Sequence, residues 1–395
     1  MMNHLAQEAL TQLQTKIVPF WQNLKDEEYG GFYAKVGYDL TCYKKATKNT
    51  VQLARILYFF SEASRIIQCP DCRRSADHAY TFLTSHSFDR VNGGLVWSSV
   101  YNGEVEDPVK SSFAFGYGIL ALVSYYRLTQ KEEALSYALE LYTLLEEHFA
   151  DEIGYKEVLS EDFKANASEV HRFAKGEFGG EKTMNTLLHL LEGYHSLYLV
   201  TQSDEILSRI RAIHHLFLTN VYSKDYPGLS IYFDNALKRT SEYRSFGHEI
   251  EASWMLAHSL EGLPPHERDD DLLALCDHLA EGVYREGFTT NSIMDETHNE
   301  HVRRRRGHWS QAEAVLGFYF AWTRNPKKEY FLKGVEAIWS FIHAYIVDER
   351  PNGEWLYVVD QDGSVTEEHA VVWPWKGPYN NGRMYLHVIE YNGKH

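Results

Sequence analysis

The sequence predicts an all-α protein, an (α/α)6 barrel with short β-hairpins at one end. Two observations lead there: a glycine-marked turn that recurs six times, and the room between recurrences for two amphipathic helices. The turns are Gly30-Gly31-Phe32-Tyr33, Gly93-Gly94-Leu95-Val96-Trp97, Gly154-Tyr155, Gly228-Leu229-Ser230-Ile231-Tyr232, Gly287-Phe288 and Gly353-Glu354-Trp355-Leu356-Tyr357. They stand roughly 60 to 75 residues apart, and one local pattern returning at a near-constant period marks a repeat architecture.

The elements follow in order. Met1 to Leu13 is polar and helix-like, without the apolar core of a signal peptide. Leu53-Ala54-Arg55-Ile56-Leu57-Tyr58-Phe59-Phe60 reads as an apolar helix broken by one arginine. Helical spacing is kept by Leu135, Leu139, Tyr142 and Leu145, by Leu187, Leu190, Leu191, Tyr194 and Tyr198, and by Ile338, Phe341, Ile342 and Tyr345. Six helix pairs, each with a hairpin at one end, describe a double ring of twelve helices. An open solenoid would lack the aromatic turns and would need polar end caps. No Pro/Ser-rich linker divides the chain, and Pro264 to Asp271 is a helix–helix loop, so residues 1–395 read as one barrel domain. Its ring of helix ends and turns would surround a central funnel, where a ligand should bind.

Composition narrows the function. Hydrophobic residues make up 44% and charged residues 24%, as in ordinary globular chains. The net charge of −16 argues against nucleic acid and anionic membranes as partners. No segment approaches the length of a membrane span, and the expected location is cytoplasmic. Aromatics reach 14%, with 27 tyrosines, which suits a core that also lines a carbohydrate cleft. Cys42, Cys69, Cys72 and Cys276 are too few for a disulfide framework, and Cys69-Pro70-Asp71-Cys72 reads as free thiols near a turn. The run Arg303-Arg304-Arg305-Arg306 reads as a solvated helix start or loop. The histidines form no closed ligand set, and no phosphate-binding glycine loop or dinucleotide fingerprint is present; no metal or cofactor is expected. The oligomeric state is open between monomer and homodimer.

Four clusters carry potential chemistry. In Ser245-Phe246-Gly247-His248-Glu249-Ile250-Glu251-Ala252-Ser253-Trp254, His248 and Glu251 share a helix face, where a carboxylate can orient an imidazole that serves as general base. Phe246, Ile250 and Trp254 give the pair a partly buried setting. Trp373-Pro374-Trp375-Lys376-Gly377-Pro378-Tyr379-Asn380-Asn381-Gly382-Arg383 gathers aromatic faces, amides and cations suited to a saccharide. His308-Trp309-Ser310-Gln311-Ala312-Glu313 sets imidazole, indole and carboxylate within two turns. Arg55, on its apolar helix, points inward to a carboxylate or ligand.

These segments resemble the N-acylglucosamine 2-epimerase superfamily, and its cellobiose 2-epimerase branch most closely. The likeness runs through Pro19-Phe20-Trp21, Leu24-Lys25-Asp26-Glu27, the Arg55 helix, Lys182-Thr183-Met184-Asn185-Thr186, Ser245 to Trp254, Gln311-Ala312-Glu313 and Asn381-Gly382-Arg383-Met384. It implies an (α/α)6 barrel and a reaction on a free mono- or disaccharide, in which a base removes the C2 proton to give an enediolate. By the resemblance, His248 matches one of two proton-transfer histidines, Glu251 its carboxylate partner, Arg55 the arginine on the C1/C2 oxygens, and Glu313 a pocket carboxylate. Trp309, Trp375, Asn185, Trp254 and Arg383 are expected to contact substrate. Asn380 stands where the second histidine belongs, Leu187 replaces a pocket histidine that His189 cannot restore, Phe113 stands for a tyrosine, and His308 for a tryptophan.

An amide cannot shuttle a proton near neutral pH, so ordinary two-base epimerisation is not expected. Three readings follow, in order. The first is a 2-epimerase or aldose–ketose isomerase with His248 as base, and His308 or a single-face mechanism completing proton transfer. The second is a carbohydrate-binding pseudoenzyme that kept the funnel. The third is a glycoside hydrolase using Glu251 and Glu313.

Overall fold

A helix that is apolar all round needs burial on every side, whereas a helix with one apolar stripe needs a single covered face. The computed structural model, which describes residues 2–166, 180–298, 301–303, 305–366 and 368–392, sorts its helices into two rings on this basis. The inner helices are α2 (Thr50–Ile66), α4 (Ser112–Thr129), α6 (Met184–Thr201), α8 (Phe246–His258), α10 (His308–Arg324) and α12 (Asn380–Tyr391). The outer ones are α1 (Met2–Gln12), α3 (Pro70–Phe82), α5 (Glu132–Leu144), α7 (Asp204–Leu216), α9 (Asp270–Gly282) and α11 (Glu329–Phe341). Helix α4 is buried without interruption from Ser112 to Tyr125, while α5 buries only Ala134, Ala138, Leu141 and Tyr142.

The inner helices contact one another in ring order, α2 to α4, α6, α8, α10, α12 and back to α2. The outer helices back them, with α1 against α12 closing the outer layer. This is the expected (α/α)6 barrel. The apolar positions named from sequence are buried in α6 and α11, but Leu139 of α5 and Tyr345 face solvent.

The repeat is visible in detail. Every outer helix runs on into a five-residue π turn: Leu13–Ile17, Leu83–Ser87, Leu145–Phe149, Phe217–Val221, Val283–Gly287 and Ile342–Ile346. The glycine-marked turns follow. Gly31 and Gly94 have φ of +67° and +69°, and a Cβ on Gly94 would stand 2.4 Å from Phe115 Cζ. Both lack of a side chain and left-handed freedom are therefore required there.

The strands pair mainly between repeats. Lys48–Asn49, just before α2, pairs with Ser98–Ser99 of the next repeat; Lys110–Ser111 pairs with Val158–Leu159, Lys182–Thr183 with Tyr232–Phe233, and Arg306–Gly307 with Val358–Val359. Val36 and Val372 exchange backbone hydrogen bonds at 3.0 and 3.2 Å, tying the first repeat to the last. The expected hairpins are thus mostly links between neighbours, and they stiffen one rim of the barrel.

Two sequence expectations are corrected. Cys69 and Cys72 are disulfide-bonded rather than free, because Cys69 caps α3 and lays its Sγ over the first turn, where Cys72 sits. Arg306 is fully buried, its Nε donating to Ser292 Oγ at 2.8 Å and its Nη2 to Thr289 Oγ1 at 3.1 Å. Arg304 of the same run lies outside the described residues. Among the described residues, no helix is long and apolar enough to cross a membrane.

Candidate active site

The first turns of the inner helices and the linked rim enclose a cavity of about 1230 Å³. Helix capping sets its geometry. Asn49, Ser111, Thr183 and Ser245 cap α2, α4, α6 and α8 with their side chains, satisfying backbone N–H groups that the first turn leaves open. A cation precedes each cap and folds back to the turn after the outer helix. Lys48, Lys110 and Lys182 reach Asp26, Asp89 and Asp151, each at 2.7 Å. Arg244 grips Glu249 at 2.7 Å and also meets Glu286, Lys376 pairs with Glu354, and Arg306 takes the corresponding place before α10. These pairs fix each helix start, so side chains one and two turns in are held at defined depths.

At the upper depth sits His248, whose ring opens on the cavity. Ser245 Oγ serves it twice, accepting from the His248 backbone N–H at 3.3 Å and bonding Nδ1 at 2.8 Å. Nε2 has no protein partner among the described residues. The Trp309 ring lies 4.8 Å away, centroid to centroid. Burial, then the nearby His189, pushes the His248 pKa down to about 3, so the imidazole is neutral across the physiological range.

One turn deeper lies a polar floor. The sixth residue after each cap is polar: Arg55, Tyr117, His189, Glu251, Glu313, and Arg383 in the equivalent place on α12. Arg55 points inward, its Nη2 donating to Tyr117 Oη at 2.7 Å and its guanidinium 4.4 Å from the Tyr117 ring centre. It makes no ion pair among the described residues, and its Nε has no protein partner there. Tyr117 Oη meets His189 Nε2 at 3.0 Å, and His189 Nδ1 lies 3.1 Å from Glu192 Oε2. Arg383 completes the floor. Its Nη1 donates to Glu192 at 2.8 Å, and its Nη2 to Glu251 at 3.0 Å and Glu313 at 2.7 Å.

The floor divides the expected site residues. Arg55, Phe113, Asn185, His248, Glu251, Trp309, Trp375 and Asn380 line the cavity. Glu251 does so with no hydrogen bond to His248 among the described residues: it accepts from Arg383, and Ser245 holds the imidazole instead. Burial, then Glu313, raises the Glu251 pKa to about 8, leaving the carboxyl able to donate near neutral pH.

Other expectations are revised. Arg383 and Glu313 are the fully buried part of the floor, where the guanidinium binds the carboxyl groups of Glu192, Glu251 and Glu313. Trp254, 1% exposed, donates to Glu313 at 2.9 Å and faces a cavity of about 300 Å³ at the other end of the barrel. His308 does not line the large cavity, and its Nδ1 lies 3.0 Å from Tyr357 O. Leu187 packs in the core, while His189, expected to point elsewhere, lines the cavity. Two residues advance a helix by about 200°, so Leu187 was never the pocket position.

Sequence reasoning missed His189, Tyr117 and Glu192 as members of the floor. The recurring cation before each helix start was the signal that would have aligned the six inner helices and exposed Tyr117 and His189; Glu192, nearly a turn further along α6, had no such signal.

Asn380 keeps a defined orientation, Nδ2 donating to Glu313 Oε1 at 2.8 Å. The arrangement offers a neutral base, an unneutralised guanidinium for negative oxygen, a protonatable carboxyl and aromatic walls for sugar C–H faces.

Comparison with known proteins assigns the chain to a family. The chain is 36% identical over 388 residues to cellobiose 2-epimerase of Dictyoglomus turgidum, covering 98% of each chain. It is 34% identical to the cellobiose 2-epimerase of Eubacterium cellulosolvens, covering 96% of each. The solved cellobiose 2-epimerase of Bacillus thermoamylovorans superposes with a TM-score of 0.94 at 36% identity, over 98% of this chain and 99% of that one. Residues 12–376 match the sequence pattern of the N-acylglucosamine 2-epimerase (GlcNAc 2-epimerase) family, and the chain belongs to that family.

Proposed function

We propose that this protein acts on a free reducing sugar, removing the C2 proton of the open-chain aldose with His248 and holding the resulting enediolate on Arg55. The observation that carries this reading is the pairing, in one cavity, of a neutral imidazole with an open Nε2 and a buried guanidinium that makes no ion pair among the described residues. With Nδ1–H donating to Ser245 Oγ, Nε2 is the unprotonated nitrogen. Negative charge developing on O1 is the charge Arg55 lacks, and a preorganised cation in a low-dielectric site stabilises it without reorganisation. A cavity of about 1230 Å³ exceeds a single hexose, and the relatives are named for cellobiose, so a disaccharide is the favoured substrate. Glu251 and Glu313 share one guanidinium nitrogen and Glu313 does not reach the cavity, which disfavours the glycosidase reading.

Proton NMR with cellobiose, mannobiose, glucose and mannose in deuterated buffer tests the proposal. The C2 proton signal should vanish for at least one sugar, and His248→Ala should slow the loss by about 10²-fold or more. Ligand-induced shifts with no exchange for any sugar would refute it and favour a binding protein.

A further inference from the structure

On the inner helices the imidazoles and carboxyls that line the cavity lie on one side, while Asp107 and Glu157 line its rim outside the helices. At the depth of His248, the third residue after the cap on α2, α4, α6, α8 and α10 and the equivalent place on α12, the inner helices present Gln52, Ala114, Thr186, His248, Ser310 and Asn380. His248 is the sole imidazole or carboxyl among them. The remaining carriers on cavity-lining helices, His189 and Glu251, belong to α6 and α8, the same part of the ring. Around the ring from α10 through α12 to α2 the cavity meets Trp309, Tyr357, Trp373, Trp375, Asn380 and Arg55; burial raises the Tyr357 phenol to about 12, and none of the others exchanges a proton near neutral pH. Asn380 cannot turn to change this, since its Nδ2 is tied to Glu313.

From this one-sided placement we propose that the protein returns the proton to the sugar face from which it was taken, so that its net reaction is aldose–ketose isomerisation, with Asn380 excluding 2-epimerisation. This rests on the C2-deprotonation reading above. His248 Nε2 takes the C2 proton; the C2–H electron pair becomes the C1=C2 bond, and the carbonyl pair moves onto O1 beside Arg55. The Glu251 carboxyl gives its proton to O1 and receives that of O2. The O2 electron pair then forms the C2 carbonyl, and the C1=C2 pair takes the proton from His248 at C1. Protonation back at C2 from the same face regenerates the starting aldose. An epimer would need a proton delivered to the opposite face of the planar enediolate, where Asn380 offers no acid.

The test follows products in deuterated buffer by NMR and chromatography. The wild type should give ketose, together with recovered aldose carrying deuterium at C2 in its original configuration, and epimer at less than about one hundredth of the ketose. Epimer in amounts comparable to ketose would overturn the inference while leaving C2 deprotonation intact. Absence of C2 exchange would instead overturn the underlying reading. Asn380→His should raise the epimer-to-ketose ratio at least tenfold. A variant that binds sugar, forms ketose at the wild-type rate and makes no epimer would show that Asn380 does not set the outcome. The wild-type product ratio stands as a test by itself if the variant does not fold.

Discussion

Arg383 donates from Nη2 to Glu313 Oε1 at 2.7 Å, in a part of the barrel where both side chains are fully buried. The same guanidinium also holds Glu251 and Glu192. Removing one partner of a buried charge cluster leaves the others uncompensated, at a cost of about 3–5 kcal/mol. Arg383→Met should therefore lower unfolding stability by that amount in urea titration. A loss under about 1 kcal/mol would mean that the carboxyls neutralise themselves by protonation. Arg383→Lys should recover only part of the stability, since an ammonium cannot reproduce the planar fork.

Tyr117 joins the two halves of the floor through its hydroxyl, which accepts from Arg55 and meets His189. Tyr117→Phe keeps the ring over which Arg55 lies and removes the oxygen. The expected stability loss is about 1 kcal/mol. Arg55 would lose the contact that fixes its Nη2, so kcat should fall about tenfold with a smaller change in KM. Steady-state kinetics beside thermal unfolding separates the two effects, and an unchanged kcat would remove Tyr117 from the positioning of Arg55.

Ser245 couples the fold to the proposed base. As cap it satisfies the His248 N–H, and through the same oxygen it meets Nδ1. Ser245→Ala should cost about 1 kcal/mol as a lost cap. It should also slow C2 exchange several-fold beyond that of Ser111→Ala, a cap on α4 that touches no cavity histidine. Equal rates in the two variants would show that the Nδ1 contact does not matter.

The barrel was legible because its glycine turns are obligatory. Gly31 and Gly94 sit at left-handed φ against Phe82 and Phe115, and no other residue type fits both conditions. Arg55 was legible for the opposite reason, as a polar intrusion on an apolar inner helix, and His248 because it shares a helix face with Glu251. What could not be read was depth. Asn380 and Arg383 lie three residues apart on α12, yet one lines the cavity and the other is enclosed by the carboxyl groups of the floor. One helical turn decides between substrate contact and structural ion pair, and motif composition carries no coordinate along the barrel axis. Arg306 was misread because a run of arginines looks like a surface, whereas its position before a helix start belongs to the repeat.

The buried titratable groups also fix how stability should vary with pH. His189, His195 and His214 are each pushed down to about 4, first by burial. His248 is lowered to about 3, and His308 falls well below its ordinary value of 6.5. Unfolding frees these five to bind protons below about pH 6.5, so they favour the unfolded chain as pH falls. Burial acts oppositely on Glu157, Asp295 and Glu251, raised to about 7, 6 and 8. Their protons are bound in the fold and lost on unfolding, so their contribution declines as pH rises from about 4.5 toward 8. Between about pH 5 and 6.5 the histidines outnumber the carboxyls, and each excess proton is worth about 1.4 kcal/mol per pH unit. Above pH 6.5 only the carboxyls still titrate. The unfolding temperature should thus rise from pH 5 to a maximum near 6.5 and decline more gently toward pH 8, measured by scanning calorimetry at constant ionic strength. His214, far from the cavity and bonded to Ser259 Oγ at 2.7 Å, offers a control. His214→Gln should flatten the acid limb without altering C2 exchange, and an unchanged limb would mean that His214 is already charged in the fold.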